Sequence, residues 1–227
     1  MKPESLVIPL FPLDLVQFPG AITPLHIFEP RYRQMLKDVM AGDKSFGIIF
    51  RDSLTLIDSE NLPEGSIGCM IEVAVAQGMA DGRSNILCLG KERFRLLGYV
   101  EGEPYLKAEV ELFDDDLDIV DPSDLADKTR ALFLRLMAAG RKLKNQIESD
   151  DESPELPDDA QSLSLIIPAY LEIDNSEKQY MLELTSTVER LDYLNSILEN
   201  LARDYENRAI TNQFAKLNGH GGKLPKM

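Results

Sequence analysis

The chain has 227 residues, of which 44% are hydrophobic and 28% are charged, and its formal net charge is −15 at pH 7. This apolar content is sufficient for a sizeable core and excludes an intrinsically disordered protein. The negative charge opposes contact with phosphate backbones and anionic membranes. Since the sequence shows no folded basic patch to overcome it, we expect neither nucleic acid nor membrane as a partner.

The amino terminus lacks the basic region and the uninterrupted apolar run of a signal peptide, and no segment is apolar over the length of a bilayer. We therefore expect a cytoplasmic protein. Cys69 and Cys88 lie in apolar, strand-like segments, too far apart for a Cys-x-x-Cys metal or redox motif. Both are interpreted as small buried hydrophobic residues.

Prolines dominate the chain as far as Glu29, and each fixes φ and removes a backbone donor, which predicts short strand pieces and turns. Pro30 suits the first position of a helix, and Gly42 is expected to end that helix in a left-handed conformation. The apolar positions of this helix recur at helical spacing: Tyr32, Met35, Leu36, Val39 and Met40.

Strands follow the first helix. Alternation and apolar runs predict them at Phe46–Phe50, Ile67–Val75, Ile86–Leu89, Arg93–Leu97 and Tyr105–Leu112. Asp81-Gly82-Arg83 is expected to form a tight hairpin turn, because glycine tolerates a positive φ. This half is predicted to be an antiparallel meander, whose closure into a barrel would remove exposed strand edges.

Helical periodicity replaces the strand pattern after Phe113. Asp121 and Pro122 are expected to open a helix, Pro168 is expected to kink or shorten a second helix at Leu163–Leu171, and Ser186 with Glu189 forms a capping box before a long final helix. The charged, proline-containing segment 149–160 is predicted to be an exposed loop. The aspartates of 114–118 lack a calcium-binding pattern and are interpreted as a solvated connector.

Several motifs of the chain resemble the substrate-binding N-terminal domain of the Lon protease family. They are Pro9-Leu10-Phe11-Pro12-Leu13, Phe18-Pro19-Gly20, the run from Pro24 to Tyr32, Phe46-Gly47, Asp81-Gly82-Arg83, Arg93-Phe94-Arg95 and Lys178 to Glu183. The resemblance implies an α+β fold, in which a PUA-like antiparallel β pseudo-barrel with one or two helices precedes an α-helical bundle. We expect the β-rich part at 1–115, the bundle at 116–217 and a flexible tail at 218–227.

Motifs for catalysis are not found in this sequence. It has no phosphate-binding loop, and its two histidines are His26 and His220, the second in a glycine-rich segment that cannot hold an imidazole rigidly. We therefore expect no enzyme activity, no cofactor and no metal, and we interpret His26 as a structural residue at the start of a helix.

The Lon resemblance implies a non-catalytic module that binds polypeptides, in protein quality control or as an adaptor. We hypothesise a groove for extended apolar peptides near the amino-terminal segment and the Asp81-Gly82-Arg83 hairpin. The candidate binding residues are Phe18, His26, Phe28, Arg31, Tyr32, Asp81 and Arg83. Two alternatives remain open: an enzyme that uses His26 or a carboxylate in a cleft between barrel and bundle, and a PUA-like RNA-binding protein, which would need a basic face. The sequence leaves the oligomeric state and the partner open.

Overall fold

The computed structural model describes residues 5–52, 61–102, 104–143 and 155–218, with side chains to residue 211. The strands are β1 (Ser5–Leu13), β2 (Ile22–Ile27), β3 (Ser45–Phe50), β4 (Ile67–Gly78), β5 (Ser84–Val100) and β6 (Lys107–Phe113), and the helices are α1 (Pro30–Met40), α2 (Ser123–Leu143), α3 (Ala160–Tyr170), α4 (Asn175–Glu183) and α5 (Thr187–Asn218). Six strands with one inserted helix thus precede four helices, which confirms the α+β class.

The sheet is organised on β5, the longest strand. One edge of β5 pairs with β4, and the other edge pairs first with β2 and then with β6. Further pairings link β4 to β3, β3 to β1 and β1 to β6. The pairings therefore pass through five strands and return to β5, as in a pseudo-barrel, while β2 extends the sheet outside this ring.

Two expectations about the strands are wrong. Ile86–Leu89 and Arg93–Leu97 belong to one continuous strand, β5, rather than to two. The sheet is also mixed and not purely antiparallel, because β1 and β3 pair in parallel, with Leu10 opposite Gly47. A parallel pair needs a crossover connection, and the segment with β2 and α1 supplies it.

Helix α1 begins at Pro30, as predicted, and packs on one face of the sheet. Its buried residues are Tyr32, Met35, Leu36 and Val39, which share a core with Phe11, Ile27, Phe46, Ile71, Val73 and Ile86. The expected left-handed cap at Gly42 is wrong. The Ala41 amide bonds to the carbonyls of Lys37 and Asp38 and so closes the helix earlier, and the positive φ of 62° falls at Lys44.

The β4–β5 hairpin has the predicted glycine conformation. Gly82 has a φ of +81°, and the Asp81 carboxylate accepts a hydrogen bond from the Arg83 amide at 3.0 Å. The connection spans residues 79–83, because Met79 donates its amide hydrogen to the Arg83 carbonyl at 2.8 Å. This turn fixes the register between β4 and β5.

The four carboxyl-terminal helices form the bundle, and its core extends into the β-rich part. Phe18, Ala21 and Ile67 belong to the same buried cluster as residues of α2, α3, α4 and α5. One of the two hydrogen bonds of the predicted capping box is present, since the Glu189 amide donates to Ser186 Oγ at 3.1 Å. Pro168 lies in the last turn of α3, which begins at Ala160, earlier than expected, and continues to Tyr170, two residues beyond the proline.

A buried ion cluster joins the two parts, and it corrects the interpretation of 114–118 as a solvated connector. Asp115 accepts hydrogen bonds from Arg93 of β5 and Arg190 of α5, and all three side chains are at most 5% exposed. Thr187 also donates to Asp115, at 2.5 Å. The sequence indicated a solvated connector because periodicity cannot show that one aspartate of these four meets two arginines that are distant in the sequence.

Some predicted features lie outside the described residues. These are positions 149–154 of the loop and positions 219–227 of the tail. The described remainder of the loop, 155–159, is irregular as expected, and the Asp159 carboxylate caps α3 by accepting from the Ser162 amide at 2.8 Å. The division at 115 and 116 stays a prediction.

Candidate functional site

Two of the seven candidate binding residues are buried and cannot contact a peptide at the surface. Phe18 is 0% exposed and packs into the core shared with the bundle, and Tyr32 is 5% exposed with its ring centroid 4.0 Å from that of Phe11. The sequence placed both in a groove because an aromatic residue in a proline-rich segment suits a core and a binding surface equally. Because both side chains are buried, Phe18 and Tyr32 are core residues.

His26 and Phe28 lie together at the surface, at the end of β2. Their ring centroids are 6.0 Å apart in a stacked arrangement, and Phe28 is 57% exposed. His26 Nδ1 lies 2.7 Å from Asn85 Oδ1 on the neighbouring strand. Phe28 is therefore exposed, as a binding residue requires. The expectation that His26 lies at the start of a helix is wrong, because it is an exposed residue of strand β2.

The charged candidates pair locally. Arg31 Nε donates to Glu29 Oε2 at 3.0 Å, and its guanidinium lies 4.7 Å from the centroid of the Tyr32 ring. At the hairpin tip, Arg83 binds Asp81 at 2.6 Å, and this hydrogen bond holds the pKa of the Asp81 carboxyl below its usual range. Since both pairs are exposed, each contributes little to stability, and their groups can exchange partners at low cost.

The structure adds an exposed apolar surface that the sequence reasoning missed. On the face of the sheet opposite α1, Pro24, Leu87 and Val75 occupy neighbouring positions across β2, β5 and β4. Ile22 and Phe28 extend this row along the chain. We call these five residues the outer patch. Ile22 is 67% exposed, Val75 53% and Leu87 39%.

A signal for the outer patch exists in the sequence of β2. The strand reads Ile22-Thr23-Pro24-Leu25-His26-Ile27 and carries apolar residues on both faces, whereas one face suffices for packing. The inner positions Leu25 and Ile27 pack beside α1. The outer apolar positions Ile22 and Pro24 are exposed, which is typical of an interaction surface.

A separate cleft of about 600 Å³ lies between the barrel and the bundle. Its lining includes Lys91 and Arg93 from β5, Phe113 at the end of β6, Asp114 from the connector, and Gln161 from α3. His26 does not line this cleft. The form of the enzyme alternative that uses His26 is therefore wrong about the cleft, since the histidine and the cleft lie apart. The form that uses a carboxylate stays a prediction, because Glu92 and Asp114 line the cleft. In the described ranges, no group of histidine, cysteine or acidic side chains has metal-binding geometry either.

Both cysteines have the predicted buried setting, without a disulfide. Burial raises the pKa of the Cys69 and Cys88 thiols to about 12, so neither is an activated nucleophile. In the parts of the chain that the structure describes, no helix has the length and apolarity needed to cross a bilayer. These observations define an α+β protein of a pseudo-barrel and a helical bundle, with an exposed apolar surface on its sheet.

Comparison with known families identifies the family of this chain. Residues 7–200 match the model of the ATP-dependent protease La (Lon) substrate-binding domain, and the chain belongs to this family. Among curated relatives, the Lon protease of Cytophaga hutchinsonii is 22% identical over 85% of this chain, and that of Anaeromyxobacter dehalogenans is 26% identical over 92%. The chain spans about a quarter of the length of these relatives, 24% in each case.

Solved structures give the same fold. A Lon N-terminal domain protein from Xanthomonas campestris superposes with a TM-score of 0.58 at 22% identity, covering 84% of this chain and 98% of that one. The N-terminal domain of the Mycobacterium avium complex Lon protease also has a TM-score of 0.58, at 17% identity, with coverages of 88% and 99%. The likeness confirms the expected resemblance to Lon N-terminal domains.

Proposed function

We propose that this chain is a non-catalytic module that binds extended apolar segments of polypeptides on the outer patch. The observation that carries the proposal is the row of exposed apolar side chains across three strands, centred on Leu87. The family's substrate-binding role supports the same conclusion. The module would serve protein quality control or act as an adaptor in the cytoplasm.

The dimensions of the outer patch suit a short extended peptide. Ile22 and Phe28 are six residues apart along an extended segment, which corresponds to roughly 20 Å at about 3.3 Å per residue. Three strands spaced about 4.8 Å apart give a width of roughly 10 Å. A peptide of about six residues could therefore lay alternate side chains along the patch.

Side-chain burial would carry most of the affinity. Within the described residues, β2 pairs with β5 alone, so its second edge is available to another strand. Pro24 lies in the middle of that edge and has no amide hydrogen to donate, which weakens backbone pairing there. Because a flexible peptide must also be ordered, we expect dissociation constants in about the micromolar range.

The test is an NMR titration of the isotope-labelled protein with peptides from a denatured protein. Amide shifts are expected to cluster on β2, the first half of β5 and the second half of β4. The double variant Ile22→Ser/Leu87→Ser should weaken binding about tenfold or more, since each buried aliphatic group contributes about 1.5–3 kcal/mol. Val7→Ser is the matched control, because Val7 is 60% exposed on β1, outside the patch.

Three results would contradict the proposal. The first is shifts scattered over the helical bundle, and the second is an absence of shifts at saturating peptide. The third is equal affinity in the patch variant and in the control. Any of these would leave a folded partner protein as the ligand to be sought.

A further inference from the structure

The connector between β6 and α2 exposes three aliphatic side chains within four residues. Leu117 is 100% exposed, Ile119 103% and Val120 63%. Large aliphatic residues are rarely left fully in water, and three together are typical of a contact surface rather than of a linker. We call residues 117–120 the aliphatic segment.

Hydrogen bonds between its aspartates and residues 185–188 hold the aliphatic segment in place. Thr185 Oγ1 donates to Asp116 at 2.8 Å, and the Asp116 amide donates to the Thr185 carbonyl at the same distance. Ser186 Oγ and the Val188 amide donate to Asp118 at 2.5 and 3.0 Å. Because the intervening side chains are tied inward, Leu117 and Ile119 point outward. Their display is preorganised, which lowers the ordering cost of binding.

An apolar groove lies at the other end of α2. It has a volume of about 300 Å³ and is lined mainly by Leu136, Met137, Tyr170, Leu171, Leu201 and Tyr205. A cavity of about 150 Å³ can hold a benzene-sized group, so this groove has room for two aliphatic side chains. The Tyr170 side chain is 51% exposed.

The charges of the two surfaces are complementary. Asp118 lies within the aliphatic segment, and Asp116 and Asp121 flank it. The hydrogen bonds that these carboxylates accept come from neutral hydroxyl and amide groups. Arg141 and Glu172 line the groove, and Lys142 lines the neighbouring surface between α2 and α5 together with the Arg135–Glu206 ion pair. Over the groove and this neighbouring surface three cations face two carboxylates, and this excess of positive charge attracts an acidic segment and orients it.

We propose that the aliphatic segment of one copy of this chain docks into the α2–α3–α5 groove of a second copy. Docking within one copy is excluded, because the 21 residues of α2 separate the two surfaces by about 30 Å and both ends are fixed. The contact is heterologous, since different surfaces meet. It therefore builds head-to-tail chains, or rings if the rotation between copies closes.

Sedimentation velocity of the intact chain over a concentration series tests the proposal. The weight-average sedimentation coefficient is expected to rise with protein concentration and to fall when salt screens the charges. Leu117→Ser/Ile119→Ser should weaken self-association about tenfold or more, because each substitution removes buried aliphatic surface. The control Leu6→Ser/Val7→Ser removes exposed aliphatic groups of β1 and should leave self-association unchanged.

The groove is tested from the other side with Gly140→Leu. A Cβ atom at Gly140 would lie 3.9 Å from the Tyr205 ring, an ordinary contact, so the larger side chain fills the groove without a backbone clash. Arg141→Glu is a second variant, which reverses the charge at the rim and leaves the core unchanged. Both should be monomeric where the wild-type chain associates.

Mixing gives the decisive result. The aliphatic-segment variant keeps an intact groove, and the Gly140→Leu or Arg141→Glu variant keeps an intact aliphatic segment. Each is expected to be monomeric alone, and an equimolar mixture is expected to form one-to-one dimers only. A wild-type chain that remains monomeric at all concentrations would overturn the proposal, and so would a mixture that forms no dimer. The peptide titration at the outer patch is independent of these results.

Discussion

Replacing Asp115 by asparagine should destabilise the protein more than any other change of one charge in the connector. The substitution keeps the side-chain shape but removes the carboxylate that accepts from both Arg93 and Arg190. These guanidinium groups are 2% and 0% exposed, so water cannot replace the lost partner. Arg93 is already disfavoured as a cation, since burial lowers its pKa.

The expected loss is about 3–5 kcal/mol, the usual cost of removing one partner from a buried ion pair. Some hydrogen bonds remain, because Arg93 also donates to the Leu182 and Leu184 carbonyls at 3.1 and 2.6 Å. These neutral acceptors orient the guanidinium but do not neutralise it. The loss is a large part of the total stability of a typical domain, about 5–15 kcal/mol.

The assay is urea unfolding followed by circular dichroism, with the midpoint converted to free energy through the measured slope. Asp114→Asn is the matched control, because Asp114 is an exposed neighbour that accepts from the Gln161 side chain. The control should change stability by less than about 1 kcal/mol. A loss of less than about 1 kcal/mol in Asp115→Asn would refute the reasoning that this cluster joins barrel and bundle.

Two further predictions concern packing and ionisation. Gly90→Ala should destabilise the protein by about 1–3 kcal/mol or more in thermal melts, because its Cβ would lie 2.0 Å from the Phe18 carbonyl oxygen. Gly78→Ala, with nothing within 4 Å, is the control, and equal melting temperatures would contradict the packing argument. Native Cys69 and Cys88 should resist a thiol reagent at pH 8 and react after unfolding. Because their folded pKa is raised to about 12 from an ordinary 9.0, their contribution to stability is complete below pH 9.0 and declines between these values. Rapid labelling of the folded protein would show that the thiols are accessible.

Local sequence determined the elements whose causes are local. Pro30 opens α1, Gly82 takes the positive φ of the hairpin, and Ser186 caps α5, each because the side chain acts on its own backbone within a few residues. Periodicity also predicted the strands after α1 and the helices α2 and α5, because it records the face that each element buries. The Lon resemblance then gave the architecture, since it relates the whole set of motifs to one known fold.

Tertiary structure decided what depends on residues distant in the sequence. The parallel pairing of β1 and β3, the burial of Asp115 between Arg93 and Arg190, and the burial of Phe18 all arise from contacts across tens of residues. The candidate binding residues also differ in exposure because of contacts between residues that are distant in the sequence. Phe28 is exposed and Phe18 is buried, although both are aromatic residues of one proline-rich segment, because packing between barrel and bundle covers only one of them. Residue type specifies which side chains can be buried, and only the assembled fold decides which of them are.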